Sequence, residues 1–175
     1  TDWSPDGANL IVNVGDGAGD VWLVPVSGDA PGRPLLADRF TERDARVSSD
    51  GRWIAYASNE SGAFEVSVRS LSGPPQRVVV SSGGGDQPVW RRDGAELFFV
   101  NQQGQLHAVS VRVQDGRLLP GAAVRLGVPP LGPRHWGTTY DVSPDGKRIH
   151  LTQATGERPP REIDVVLGWR ALLLR

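Results

Sequence analysis

The 175-residue chain contains no cysteine and no methionine, and Lys147 is its only lysine. Without cysteine there is no disulfide framework, no thiolate zinc site and no thiol nucleophile. The redox compartment is left open, since a cysteine-free chain suits either side of a membrane. The absent methionine points to Thr1 lying inside a longer parent protein. No apolar run approaches the roughly 18 residues that a bilayer-spanning helix needs, and no secretory leader is recognisable. Charge of one sign is also lacking. Lys plus Arg is 19 and Asp plus Glu is 20, a formal net charge of −1. Affinity of the whole domain for nucleic acid would want a basic excess, and no block of like charges is present. The near absence of lysine beside many arginines reads as compositional bias.

Turn formers are abundant. Gly 22 and Pro 14 make up about a fifth of the chain, high for a helical protein and ordinary for one rich in tight turns. They are not scattered. Asp-Gly recurs at Asp6-Gly7, Asp50-Gly51, Asp93-Gly94 and Asp145-Gly146. The preceding pairs are Ser4-Pro5, Ser48-Ser49, Arg91-Arg92 and Ser143-Pro144. Three residues before each Asp stands Trp3, Val47, Trp90 or Val142. Three after each Gly stands Leu10, Ile54, Leu97 or Ile149. The period is about 43 residues, with about nine more in the last unit, which is the length range of repeat architectures.

Each unit has one physical grammar. A short strand enters a turn in which Pro presets φ, Asp bonds the backbone ahead and Gly takes positive φ. An apolar second strand follows, at 10–14, 53–57, 97–100 and 149–152. A polar, Gly- or Asn-rich turn leads to a third strand near 21–23, 66–68, 106–111 and 163–167. A weaker fourth strand is expected near 33–36, 76–80 and 122–126. The stretch 169–174 fits one helical turn or a terminal strand. No ten-residue window has a sustained helical period. Four antiparallel strands per repeat of this length make one propeller blade. The fold expected is an all-β β-propeller of four four-stranded antiparallel blades, at about 1–38, 39–81, 82–127 and 128–175.

The Ser-Pro-Asp-Gly turn entering an apolar strand resembles the TolB-like, WD40-like propeller repeat. The stretches 43–69, 81–100 and 140–151 and the ending Glu162-Ile163-Asp164-Val165-Val166-Leu167-Gly168-Trp169 carry that resemblance. It is nearest to the C-terminal propellers of bacterial serine/threonine protein kinases. Ser49 and Arg92 depart from the pattern by replacing Pro, with Asp-Gly retained. The resemblance implies a non-catalytic binding or sensor module that engages a protein or peptide, in the extracytoplasmic part of a bacterial signalling protein. It also implies that four units are the C-terminal part of a six-bladed ring. The two open blade edges would then favour self-association. Two other parents remain open: a prolyl-oligopeptidase-type serine peptidase, and a TolB-type scaffold of the cell envelope.

No cofactor or metal is expected. The Asp-Gly turns recur because a turn recurs. The run 15–20 lacks the ligand order of a calcium loop. The Gly-rich stretch 81–86 leads into a strand, where a phosphate cradle needs a helix N-terminus. No kinase catalytic loop or Gly-x-Ser-x-Gly nucleophile elbow is present. His107 and His150 lie in strands and read as packing residues. In a propeller, the loops joining strand four to strand one and strand two to strand three share one rim. That rim gathers Glu42, Arg43 and Asp44, Asn59 and Glu60, Asp86 and Gln87, Asn101 and Gln102, and Arg134, His135 and Trp136. This mixed polar rim, with one aromatic, is the candidate binding face. Reversing the charge of Arg43 or removing Trp136 is expected to weaken binding with little effect on thermal stability.

Overall fold

A computed structural model describes residues 2–15, 19–128, 130–131 and 138–151. The expected strand 163–167, the segment 169–174 and Arg134, His135 and Trp136 lie outside them. Among the described residues there are only strands and turns, arranged as three four-stranded antiparallel sheets and one two-stranded sheet. Blade 1 holds β1 (Asp2–Trp3), β2 (Asn9–Val14), β3 (Asp20–Pro25) and β4 (Arg33–Leu36). Blade 2 holds β5 (Glu42–Val47), β6 (Trp53–Ser58), β7 (Glu65–Ser70) and β8 (Arg77–Val79). Blade 3 holds β9 (Asp86–Trp90), β10 (Glu96–Val100), β11 (Leu106–Gln114) and β12 (Arg117–Arg125). The described part of blade 4 is β13 (Tyr140–Val142) and β14 (Ile149–Leu151). Strand order follows chain order within each sheet, so every connection inside a blade is an antiparallel hairpin.

The repeated turn is closed by its own side chains. In blade 2 the Ser48 hydroxyl donates to Asp50 Oδ1 at 2.6 Å and accepts the Trp53 N–H at 3.0 Å, while Asp50 Oδ1 accepts the Arg52 N–H. Ser4 with Asp6, and Ser143 with Asp145, repeat the pattern. The hydrogen bonds hold the Asp6 and Asp145 carboxyls below their usual range. In blade 3 Arg91 stands in the place of Ser, and its Nε donates to Asp93 Oδ1 at 2.7 Å.

The second strands are apolar on both faces because each blade is packed between neighbours. Pleating sends Ile54 and Tyr56 of β6 toward blade 1, where they join Ile11, Val21, Leu36 and Ala45. Trp53 and Ala55 face blade 3 and meet Leu97, Phe99, Val109, Val111 and Leu118. Phe98, Val100, Val89 and Leu106 pack with Tyr140 of blade 4. His107 lies flat on Phe99, ring centroids 5.2 Å apart, which fits its packing role. His150 is exposed instead, on the face of β14 opposite the one that Leu151 shares with Tyr140.

The fourth strand of blade 3 starts earlier than the expected 122–126. Asp115 and Gly116 take φ of 51° and 73°, the two positive values of a type I′ hairpin. That tight turn extends β11 and lets β12 begin at Arg117. Asp-Gly here serves a different corner from the repeated turn, out of register with the repeat.

Candidate functional site

The expected rim forms an open cavity of about 500 Å³ between blades 2 and 3. Arg43 is the second residue of β5 and Asp86 the first of β9, at corresponding positions of successive repeats. The Arg43 guanidinium grips the Asp86 carboxylate with two nitrogens, Nη2 to Oδ2 at 2.6 Å and Nε to Oδ1 at 3.2 Å. Its carbon sits 3.5 Å from the centroid of the Phe64 ring. The planar, delocalised cation can be bidentate and stacked at once, which an ammonium cannot. Arg43 is therefore committed to the fold as well as facing the cavity. Reversing its charge would unpair Asp86, so the expectation of an unchanged thermal midpoint does not follow from this geometry.

The next residues, Asp44 and Gln87, both have positive φ, 55° and 53°. Each coincides with a register shift where its inner strand pairs with the second strand. These bulges re-aim side chains locally. Asp44 is buried and lies close enough to hydrogen-bond Asp86. The Asp86 carboxyl is pushed up, first by desolvation and then by the hydrogen bond and negative charge of Asp44, with Arg43 pulling the other way. Two carboxyls so close cannot both ionise freely. Asp44 and Asp86 thus lie side by side, with the Arg43 guanidinium closing on Asp86.

The remaining rim residues divide. Asn101 and Gln102 line the cavity, together with Gln103, Gly104 and Leu131. Asn101 Oδ1 also accepts the N–H groups of Gln103 and Gln105, which fixes its loop. Gln87 is buried, and its Oε1 accepts from the Thr139 N–H at 2.7 Å, tying blade 3 to blade 4. Asn59 accepts the Thr41 N–H. Glu60 pairs with Arg77 on the blade flank. Glu42 departs furthest from a rim contact: it is 2% exposed. It faces blade 1, with Oε1 accepting weakly from Ser58 and Oε2 without a hydrogen-bond partner among the described residues. Desolvation pushes its carboxyl up. The pleat explains the placement, since Glu42 pairs with Ser58 on the same sheet face as Tyr56.

Phe64, Gln103 and Leu131 were not anticipated. An aromatic directly before the third strand, in an otherwise polar hairpin, was the available signal for Phe64. Among the described residues no group of three or more His, Cys, Asp or Glu is placed to hold a metal ion. Chemically the cavity offers a planar cation on an aromatic platform, the Asp86 carboxyl and a row of carboxamides. Carboxamides both donate and accept hydrogen bonds, which matches the peptide group.

No family model matches the chain. Its sequence is 34% identical over 118 residues to Tricorn protease homolog 1 of Streptomyces coelicolor, a match covering 65% of this chain and 11% of that protein. The fold is similar to TolB from Acinetobacter baumannii, with TM-score 0.64 and 19% identity over 89% of this chain and 38% of that one. A puromycin-hydrolysing peptidase of Mycobacterium tuberculosis is similar with TM-score 0.53 and 19% identity, over 82% of this chain and 26% of that one. The chain thus spans a small part of the curated relative and less than half of either solved protein. At such identities the likeness of structures shows the fold. The chain has the β-propeller fold that TolB also has, and covers part of a propeller.

Proposed function

We propose that this module is a non-catalytic binding unit that takes a peptide or protein segment at the rim cavity of blades 2 and 3. The observation that carries the reading is the Arg43–Phe64 stack on Asp86, opening onto the carboxamides of Asn101, Gln102 and Gln103. An aromatic and an arginine held rigidly beside paired donors and acceptors are the components of a binding hot spot. Extracytoplasmic placement in a bacterial signalling protein is the context implied by the sequence resemblance. Among the described residues no helix is long and apolar enough to cross a membrane.

The test is to screen a displayed peptide library against the chain and titrate a selected peptide into two variants. Gln102→Ala with Gln103→Ala removes exposed carboxamides without touching the core, and should weaken binding about tenfold. Arg43→Ala should do the same and lower stability. Selected peptides that bind both variants at full strength would refute the rim as the site.

A second reading has its own support. The match to a Tricorn protease homolog and the fold shared with a peptidase favour a propeller that admits peptides to a peptidase domain of the same protein. A peptidase domain in the parent reading frame would establish it, and a kinase domain would restore the signalling context. The flank of blade 1 away from blade 2 exposes Trp3, Val14 and Val26. This supports self-association of the isolated module, which light scattering across a concentration series would detect.

A further inference from the structure

The blade seams are built to one pattern, yet two of them close differently. In blade 1, β4 places Arg33 opposite Leu23, which lies opposite Ile11, so all three face blade 2. In blade 2, β7 places Arg69 opposite Ile54, whose side chain faces blade 1. Two arginines therefore enter the first seam from opposite walls. One blade further on, the same register positions are held by Val78, opposite Val68, and Val109, opposite Leu97. Both belong to the packed cluster between blades 2 and 3. Where valines close the second seam, arginines leave the first open.

The opening is a groove of about 530 Å³ on the rim that carries the Asp-Gly turns, opposite the rim cavity. Leu23, Leu35 and Val47 line it beside the two arginines. Among the described residues neither guanidinium forms an ion pair or a side-chain hydrogen bond. Asp6 and Asp50 also border the groove. One oxygen of each is already engaged by its own turn. Both arginines are exposed along the groove walls, where their guanidiniums can take an anionic side chain. The volume falls within the range of ligand sites.

We propose that this groove docks an extended peptide of a partner protein, with an acidic side chain between Arg33 and Arg69 and neighbouring apolar side chains on the leucine and valine floor. The site is independent of the rim cavity and does not rest on the reading given for it.

The probes are three fluorescein-labelled peptides of about ten residues, whose central positions alternate Leu with Glu, Leu with Lys, or Ser with Glu. Anisotropy is read on titration with the 175-residue chain. The Leu/Glu peptide should bind saturably, the Leu/Lys peptide should not, and the Ser/Glu peptide should bind about tenfold more weakly or worse. Arg33→Glu and Arg69→Glu should each weaken the Leu/Glu peptide at least about tenfold. Arg112→Glu makes the same charge change on exposed blade 3 surface and should leave it unchanged. Unfolding midpoints of all three variants confirm that the fold is kept. The proposal is overturned if the Leu/Glu peptide fails to saturate by about 1 mM. Equal binding of the Lys peptide, or full affinity in both groove variants, would overturn it as well.

Discussion

Gln76 closes the second seam with two hydrogen bonds, and removing it tests how blades are held together. Its Nε2 donates to the Leu118 carbonyl at 2.8 Å, and its Oε1 accepts the Leu118 N–H at 2.8 Å. Leu118 lies on β12, the outermost strand of blade 3, so these groups have no further strand to pair with. Each such bond contributes about 1 kcal/mol net. Gln76→Ala should therefore lose about 2 kcal/mol, which for a chain of this size lowers the melting temperature by about 4–8 °C. Gln76→Glu is the sharper probe. Its carboxylate keeps the bond from the Leu118 N–H, loses the donor and faces a carbonyl oxygen. It should be less stable than the alanine variant at neutral pH. Protonation restores the donor, so its deficit should shrink as pH falls. Urea unfolding with unchanged m-values measures both. A Gln76→Ala loss below about 0.5 kcal/mol, or a Glu variant as stable as wild type at neutral pH, would refute a direct two-bond clamp.

Asp86 has a raised pKa in the folded state, so the fold holds more protons than the unfolded chain between the ordinary 3.8 and the raised value. Stability should fall as pH rises through that window. Asp86→Asn should flatten this limb of the urea-midpoint profile, and superimposable profiles would contradict the acid pair. Ser48→Ala removes a buried hydroxyl that both donates and accepts, and should cost about 1–2 kcal/mol by chemical unfolding. The half-exposed Ser4→Ala should cost less, and the opposite order would disprove the burial argument. Gly104 has φ of 73°, and a Cβ there would stand 2.5 Å from the Leu131 carbonyl oxygen. Gly104→Ala should therefore lose more than about 1 kcal/mol, and a neutral result in calorimetry would show that the loop simply moves.

The blade architecture was legible because its signal is local. Ser, Asp and Gly at fixed offsets close the repeated turn within six residues, whatever packs around it. The apolar second strands follow from burial on both faces. The fourth strand of blade 3 was misplaced for an equally local reason: Asp115-Gly116 is a hairpin signal that falls outside the repeat register. The binding rim was legible only as a set of loops. Which residues reach the cavity depends on the bulges at Asp44 and Gln87 and on pleat parity, and neither shows in composition. Glu42 and Arg43 are neighbours in sequence, yet one is buried between blades and the other spans two blades to reach Asp86. Only three-dimensional register separates them.

The contrast between the arginine-lined and valine-lined seams also orders the molecule in time. Local opening follows the least cohesive contact first. Blade 1 meets blade 2 across a smaller core beside a groove lined by Arg33 and Arg69, whereas blades 2 and 3 share a larger core and the Gln76 clamp. Amide protons on β2 and β3 should therefore exchange through a lower-energy excursion than those on β6 and β10. An anion lodged between Arg33 and Arg69 would slow that excursion, so occupancy of one groove becomes readable as the lifetime of an entire blade.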